Sequence, residues 1–422
     1  MKLDRAFLSL LSASSPEWLT DVREQALSAF AKLEMPTESE EVWRYLDLDF
    51  EIDEFAGVEG PGELLEGPDL IGDALNGTRI GGATVVDGYV VETSEQAISL
   101  SDADRRSDAL EKLVSRGAPV DLDIFSAAHH AFLPDLVFID VPAGQVDVGP
   151  RYVDIQASQP NRVSFPHVAL AAGENSETSV VLSLRSQEAS EQLVVPGIDV
   201  DVADGARCGL TISQGLGPAT RSIAHLRARV GRDATLIIAE AGLGASLSRL
   251  HLTIDLEGAG GTAQVIGLYF GDRDQVLDYR AFINHIGPST TSDMVLKGAV
   301  EDQARSVFTG LIKIENEAIR AHAFQTNRNL VLSDGAQAQS VPNLEILCDE
   351  VMCGHASTSG PLELEHLYYL RSRGLSQTRA ERLLIRGFFD EVLRRFPQSE
   401  LAAPIGAEVS RKFIEAQEEG RV

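Results

Sequence analysis

Two residues in the stretch DEVMCGHASTSG could carry chemistry, because a thiol and an imidazole lie two positions apart at Cys353 and His355. On a β-strand such residues point to the same face, with side chains roughly 6–7 Å apart, so both could contact one ion or cluster. The pair does not complete a site, since structural zinc requires four ligands. Cys348 has an odd offset and would face the other way in an unbroken strand. The spare histidines His322 and His366 belong to other elements.

Four interpretations of this pair stay open from the residues alone. A self-contained zinc site lacks visible further ligands, and a cysteine nucleophile with His355 as its base lacks a recognisable third partner. Two small side chains that only pack at a strand end would need no ligand at all. The fourth interpretation is a half-site that another chain completes.

The composition indicates a folded protein with a strongly acidic surface. Its 422 residues exceed what one compact core usually holds, and no apolar run approaches the roughly 20 residues that a membrane-spanning helix needs. The formal charge of −28 disfavours non-specific binding to nucleic acid, which depends on basic residues. Three cysteines and the lack of a signal-peptide pattern predict a reduced, cytoplasmic protein without a membrane partner.

The first of three segments that would position the pair covers about residues 1–90. We expect it to be helical and to end in an acidic connector. Ser15 is placed to cap a helix that has Pro16 at its first position. A capping-box spacing at Thr37 and Glu40 predicts a second, short helix through the tryptophan that follows. The apolar face of the first helix consists of Trp18, Val22, Ala26 and Phe30.

The second segment, about residues 91–348, shows almost no helical periodicity. Short runs rich in Val, Ile, Leu and Thr alternate with turns of small or polar residues, and turns near Gly205, Gly231 and Gly260 recur at intervals of 26 and 29 residues. A β-sandwich would show more two-residue hairpins, whereas recurrent small-residue corners favour stacked parallel coils. The sequence therefore predicts a mainly β protein with a parallel β-helix core.

The third segment, residues 349–422, begins with the Cys-x-His motif and is otherwise helical in pattern. PLELEHLYYLRSRG ends at Gly374, which suits a helix C-terminus, and SQTRAERLLIRGFFDEVLRRFP ends at Pro397. A further short helix is predicted in APIGAEVSRKFIEAQEE. We expect these helices to cover the open strand edge of the core and to offer a docking face.

Motifs across the stretch from Ala323 to Leu384 resemble the C-terminal half of the SufB/SufD family of iron–sulfur cluster assembly proteins. EEVWRYLDL near the N-terminus resembles the W-R-Y segment of the same family. The ASTS after His355 is more like SufB members, but the cysteine that SufB members carry before the proline is absent here. The chain therefore resembles the SufD members more closely. The motifs are Gln325-x-Asn327-x-Asn329, Pro342–Ile346, Asp349–Val351 with Cys353 and His355, and Tyr368–Gly374.

The resemblance implies a right-handed parallel β-helix core with an N-terminal helical region and a C-terminal helical domain. It implies a non-catalytic scaffold subunit that pairs with a SufB-like subunit and binds a SufC-like ABC ATPase on its C-terminal helices. A transient Fe–S cluster would be held at the subunit interface by His355, with Cys353 as a second candidate ligand. A homodimer in isolation and a reduced flavin in the complex are further implications, although no flavin-binding motif is visible.

Two alternatives from other classes are a β-helix enzyme, of the polysaccharide lyase or acyltransferase type, and a zinc-binding structural protein. A lyase would show Asp, Lys and Arg clustered on one coil, and an acyltransferase would show a strict six-residue repeat. Neither pattern is visible, and the chain has no P-loop that would predict ATP hydrolysis of its own. Neither alternative explains the block of motifs.

Overall fold

The computed structural model describes residues 1–11, 15–94, 97–100, 102, 107–188 and 190–418. Strands predominate in this part of the chain and stack as a parallel β-solenoid of about 8 turns, with helices before and after it. The predicted mainly β fold with a stacked parallel core is therefore confirmed.

Two long sheets form the solenoid, and each regular coil contributes one strand to each sheet. Sheet A contains β1 (Ala56–Gly57), β4 (Ile98–Ser99), β5 (Val137–Val141), β7 (Arg162–Ser164), β8 (His167–Ala172), β10 (Gln192–Val194), β11 (Gly197–Val202), β13 (Thr220–Val230), β15 (Leu247–Leu256), β17 (Val276–His285), β19 (Arg305–Ile314) and β21 (Gln337–Ile346). Sheet B contains β2 (Gly81–Val86), β3 (Tyr89–Thr93), β6 (Arg151–Ala157), β9 (Glu177–Ser186), β12 (Arg207–Gly215), β14 (Thr235–Gly242), β16 (Thr262–Gly271), β18 (Thr291–Val300), β20 (His322–Val331) and β22 (Met352–Gly360).

Aliphatic side chains fill the lumen, the space between the two sheets, in the early coils. Val180, Leu210 and Ile238 are register partners on β9, β12 and β14, and all three are buried. Because successive residues of a strand point to opposite faces, in-register stacking brings the same kind of position into the lumen on every coil. Burial of each such side chain contributes about 1.5–3 kcal/mol.

The corners of the solenoid use residues that tolerate a left-handed backbone. Gly205, Asp233 and Gly260 occupy successive corners, and each has a positive φ. Their backbone N–H groups donate to a carbonyl of the next corner, over 2.8–3.0 Å. The recurrent small-residue corners predicted from the sequence thus form a hydrogen-bonded column.

Five helices precede or interrupt the early strands; the third packs with the outer face of sheet B, and the others lie against the outer face of sheet A or beside it. They are α1 (Arg5–Leu11), α2 (Glu17–Phe30), α3 (Leu70–Ala74), α4 (Ser107–Ser115) and α5 (Ile124–Phe132). Helices α4 and α5 lie in the segment for which almost no helix was expected. Every residue of α5 is buried, so this helix shows no polar face in the sequence that would mark it.

Two N-terminal predictions are wrong. Helix α2 is preceded by Pro16 as its N-cap, and the hydroxyl of Ser15 donates to the carbonyl of Leu11 instead of capping. The buried guanidinium of Arg23, a residue of α2, also donates to the hydroxyl of Ser15, so this hydroxyl does not cap the first backbone N–H groups of the helix. The short helix expected near Trp43 is a single 3-10 turn, Glu41–Trp43.

The C-terminal helices are α6 (Leu364–Ser372), α7 (Gln377–Leu393) and α8 (Ala402–Glu418). The sequence had suggested that these helices cover the open strand edge of the last coil. Helices α7 and α8 instead pack against the outer face of sheet B. The reason is that their apolar faces bury against apolar residues of the middle coils. The facing residues include Ile385, Phe389, Val392, Ile405 and Phe413 from the helices and Ile266, Leu268 and Phe270 from β16.

Candidate functional site

Strand β22, which carries Cys353 and His355, is the last strand of sheet B and pairs only with β20. Cys353 lies beside Ala323, and His355 lies beside Gln325. Ala323 and Gln325 are buried lumen residues, so parallel in-register pairing directs both site residues toward the lumen. Since no later strand of the described chain covers β22, His355 is exposed at the open end of the solenoid.

Cys353 differs from His355 in having an apolar corner to pack against. It is partly buried and contacts the same cluster as Ile312, Ile314 and Ala323. Cys348 joins that cluster from the turn between β21 and β22, so the expectation that it faces the other way is wrong. The chain bends at this corner, and the odd-offset rule applies only within an unbroken strand.

The described residues contain no group of three or more His, Cys, Asp or Glu side chains placed to hold a metal ion. His322 lies on β20, beside Met352, and His366 on α6 pairs with Glu363 over 2.9 Å. Cys353 and His355 thus offer two ligands, fewer than tetrahedral iron or zinc requires. This geometry matches half of a site.

The lumen becomes polar in the coil directly beneath β22. The amide of Asn329 donates to Asn327 Oδ1 over 2.7 Å and to Ser359 Oγ over 3.2 Å. The hydroxyl of Tyr269 donates to Asn329, and the amide of Gln325 donates to the carbonyl of Asn343 over 2.8 Å. Gln325, Asn327 and Asn329 are the Gln-x-Asn-x-Asn motif of the sequence, and the contact of Asn329 with Ser359 ties the last coil to the one below it.

An apolar rim borders one corner of the open end. It is formed by four exposed residues from β20, β21, β22 and the turn between the last two strands: Phe324, Ile346, Leu347 and Met352, of which Met352 is 57 % exposed. Large apolar side chains grouped in this way are typical of a surface that another protein covers.

A second exposed apolar surface lies on the α6–α7 arm, which we define as residues 364–384. Tyr368 is 77 % exposed, and Leu364, Tyr369 and Leu383 are also exposed. Arginines are frequent here in a chain whose net charge is −28. The exposed arginines of the arm are Arg371, Arg373 and Arg379.

A buried histidine cluster joins α5 to sheet A, and no spacing in the sequence indicates it. His129 Nδ1–H donates to the carbonyl of Val195 over 2.8 Å, and its Nε2 lies 2.9 Å from His167 Nδ1. His167 Nε2 in turn lies 3.3 Å from Asp199. His129 and His167 are 38 residues apart, and only the folded coils bring them together. The cluster lies far along the solenoid from the open end and serves the fold.

Two hollows bear on the implied flavin. An enclosed cavity beside His129 and Asp199 measures about 10 Å³, which is room for one water molecule. A second hollow of about 560 Å³ is an open groove between polar turns, lined by Arg273, Asp274, Asp302, Gln303, Ser333 and Gly335. An isoalloxazine ring requires an enclosing, largely apolar pocket, so neither hollow fits it.

The fold and the open end define a class: a parallel β-solenoid whose last described strand, β22, carries Cys353 and His355 at an end that no later strand covers. Residues 154–388, more than half of the chain, match the family described as "SUF system FeS cluster assembly, SufBD core domain". The chain therefore belongs to the SufBD family of the SUF iron–sulfur cluster assembly system and is close to its SufD members.

Three relatives illustrate this membership. An iron–sulfur cluster assembly SufBD family protein of Mycobacterium bovis is 30% identical over 375 residues, covering 86% of this chain and 91% of that protein. Iron–sulfur cluster assembly protein SufD of Bacillus subtilis is 29% identical over 321 residues, or 74% and 72% of the two chains. SufD of Escherichia coli is 25% identical over 400 residues, or 92% of each chain. No described helix is long and apolar enough to cross a membrane.

Proposed function

We propose that the chain is a non-catalytic scaffold subunit of a cytoplasmic iron–sulfur cluster assembly complex. Its open end pairs with a SufB-like subunit, and its α6–α7 arm binds a SufC-like ABC ATPase. The observation that carries this proposal is the exposed His355 on an uncovered last strand, beside an apolar rim. Family membership favours this role over the enzyme and zinc-protein alternatives.

His355 would act as a ligand to iron in the nascent cluster, which is the cargo of the complex. A neutral imidazole offers one lone pair that suits iron, and the SufB-like partner would supply a cysteine thiolate. Cys353 is the second candidate ligand, but its contacts with the apolar corner give it a packing role that His355 lacks. A site divided between two chains opens when one subunit rotates against the other, which releases the cargo.

The α6–α7 arm suits an ATPase partner that offers an apolar groove with an acidic border. Tyr368 and Leu364 supply exposed apolar area, and the neighbouring Arg371 and Arg379 supply positive charge. Exposed aromatic residues with adjacent arginines are the residue types that dominate binding energy at protein interfaces.

The cluster role is tested with His355→Ala, and Val148→Ala serves as a control because Val148 is exposed in the turn before β6, outside both proposed docking surfaces. Each variant is mixed with a SufB-like subunit and a SufC-like ATPase, and iron and sulfide are measured after anaerobic assembly. We expect His355→Ala to form the complex and lose most of the bound iron, and Val148→Ala to match wild type. Equal iron in both variants would contradict the ligand role of His355.

Substitutions at two exposed residues test the two docking surfaces separately. Tyr368→Asp places a charge on the arm and should abolish ATPase binding while the SufB-like subunit still binds. Met352→Asp places a charge on the apolar rim and should have the opposite result. Native mass spectrometry measures both, and loss of the same partner in both variants would contradict the assignment of two surfaces.

A further inference from the structure

The strand that carries His355 is covalently close to the docking arm. Strand β22 ends at Gly360 and α6 begins at Leu364, so three residues separate them. Helix α6 packs along α7, while β22 pairs only with β20. The segment from β22 through α6 therefore lies between two better-anchored parts of the molecule, the inner coils and α7.

A buried lysine fastens α7 to sheet B near its C-terminal half. Lys297 on β18 is 3 % exposed, and its Nζ donates to Glu391 Oε2 over 2.5 Å and to the carbonyl of Phe388 over 2.9 Å. The same ammonium group lies 4.6 Å from the centre of the Phe388 ring. Arg395 adds an ion pair with Asp293 of β18 over 2.6 Å.

The contact between Lys297 and α7 lies on the same row of register partners as a residue of β22, the strand that carries His355. Lys297 is the register partner of Arg328 on β20, and Arg328 is the register partner of Thr358 on β22. The hydrogen bond from Lys297 lowers the pKa of Glu391, and the nearby charges of Arg328 and Arg395 lower it further. The carboxylate of Glu391 is thus attracted by charges on two adjacent strands, β18 and β20, and β20 is the strand that pairs with β22.

We propose that Lys297 and Glu391 position the His355 strand by giving α7 a fixed pivot on sheet B. With this pivot, displacement of the α6–α7 arm is passed through α6 to β22; without it, α7 slides on the sheet and the displacement is lost. The inference rests on the proposed function, in which an ATPase displaces the arm. Charge-assisted hydrogen bonds to a buried lysine are short and directional, and removal of one partner leaves the other without compensation.

A matched pair of substitutions tests the positioning role in the isolated full chain. Lys297→Met removes the pivot, and Lys412→Met removes a comparable buried lysine that fastens α8 to the carbonyl of Leu243 and to Gln275. Hydrogen exchange is measured strand by strand. We expect Lys297→Met to accelerate exchange of β22 about tenfold, the effect of losing one charge-assisted hydrogen bond, and Lys412→Met to leave β22 unchanged.

Global stability alone does not separate the two variants, because each loses the ion pair of a buried lysine, Lys297 with Glu391 and Lys412 with Asp272. Unchanged exchange of β22 in Lys297→Met, or equal acceleration in Lys412→Met, would overturn the positioning role. Glu391→Gln keeps a hydrogen-bond acceptor for Lys297, so we expect β22 to retain most of its wild-type protection in this variant.

The three-component complex separates this inference from the proposed function. With ATP, the wild-type complex should show a change in β22 exchange that the Lys297→Met complex lacks, although both assemble. A wild-type chain that fails to bind the ATPase overturns the proposed function. A Lys297→Met complex in which ATP still changes β22 exchange as in wild type overturns the coupling alone.

Discussion

Glu240 is a carboxyl group inside the lumen, where burial raises its pKa to about 8. The hydroxyl of Tyr279 donates to Oε1 over 3.3 Å, and Oε2 has no hydrogen-bond partner among the described residues. The folded protein therefore keeps this proton at neutral pH, whereas the unfolded chain releases it near pH 4.5. The contribution of Glu240 to stability must therefore fall as the pH rises from about 4.5 to 8.

Glu240→Gln should remove this pH dependence, because glutamine resembles the protonated acid in shape and stays neutral. At pH 7 the variant should be more stable by about 3 kcal/mol, from about 1.4 kcal/mol for each pH unit above the unfolded pKa. At pH 4.5 the two proteins should differ little. Denaturant unfolding at both pH values measures this, and an equal difference at both would contradict a buried neutral acid.

Gly298 leaves room for an aromatic side chain in the lumen. A Cβ atom at this position would overlap the ring of Tyr269, which stacks on Tyr279 with ring centres 4.8 Å apart. Gly298→Ala should therefore lower stability by about 1–3 kcal/mol through overpacking. The control is Gly387→Ala in α7, where nothing lies within 4 Å and alanine should add about 0.5–1 kcal/mol. Thermal melts that rank these variants in the reverse order would contradict the packing.

Site residues were predictable to different degrees. The i, i+2 spacing of Cys353 and His355 predicted a shared strand face, and the strand is present. The burial of Asn327 and Asn329 was not predictable from alternation, because polar residues at every second position usually face solvent. They are buried here because their amides form hydrogen bonds with Ser359 on the adjacent strand β22 and with Tyr269 on β16, two strands away.

At the scale of elements, α5 is held by imidazoles that resist protonation. Burial lowers the pKa of His130 to about 4 and that of His251 to about 3, and it places the pKa of His129 well below 6.5. At His130, the neighbouring histidines His167 and His225 lower the pKa further, while Asp199 opposes the effect. Because the released region would bind these protons, its docking must weaken as the pH falls below about 6.5.

Acidification to pH 5 should cost up to about 2 kcal/mol for each of these histidines. The chain has two tryptophans, Trp18 and Trp43, and both lie in the N-terminal region, so their fluorescence reports on it. His130→Gln can still donate to the carbonyl of Ala118 but cannot take up a proton, so its acid transition should be shallower. If the stability of the N-terminal region, followed by tryptophan fluorescence, did not change between pH 7.5 and 5, this account would be contradicted.

The segment around Trp43 shows why the local sequence pattern predicted one helix wrongly. Its capping-box spacing predicted a helix, and the backbone N–H of Thr37 does donate the reciprocal hydrogen bond to Glu40 Oε1 over 3.1 Å. However, Arg249 donates to the carbonyl of Val42, and Arg280 donates to the carbonyl of Arg44. These carbonyls serve sheet A instead of a helix, and both donors are more than 200 residues away.

At the scale of the molecule, the sequence predicted the architecture because its corners and strand runs recur. The repeat was imperfect for a physical reason: coil length varies with the turns. Register partners Arg221 and Leu247 are 26 residues apart, whereas Arg305 and Gln337 are 32 apart. Such variation hides contacts like that between His129 and His167, which depend on the register of each coil.

Two copies of the isolated chain should associate weakly through their open ends. Each copy carries a formal charge of −28, so association must overcome repulsion and should strengthen as salt screens it. Met352→Asp, which places a charge on the apolar rim, should leave the chain monomeric at all salt concentrations. Sedimentation equilibrium measures both, and a dimer that dissociates in salt would point to a different, charge-paired surface.

The two ends of the solenoid differ, and this limits what can be built from it. The first coils end in the short strands β3 and β4, of five and two residues, which pair antiparallel with β2 and β5, whereas the described chain ends the stack with the long edges of β21 and β22, of ten and nine residues. A stack with two open ends could add subunits without limit, as fibres do. With one open end, two subunits that join through it leave no open end for a third, so end-to-end growth stops at two subunits.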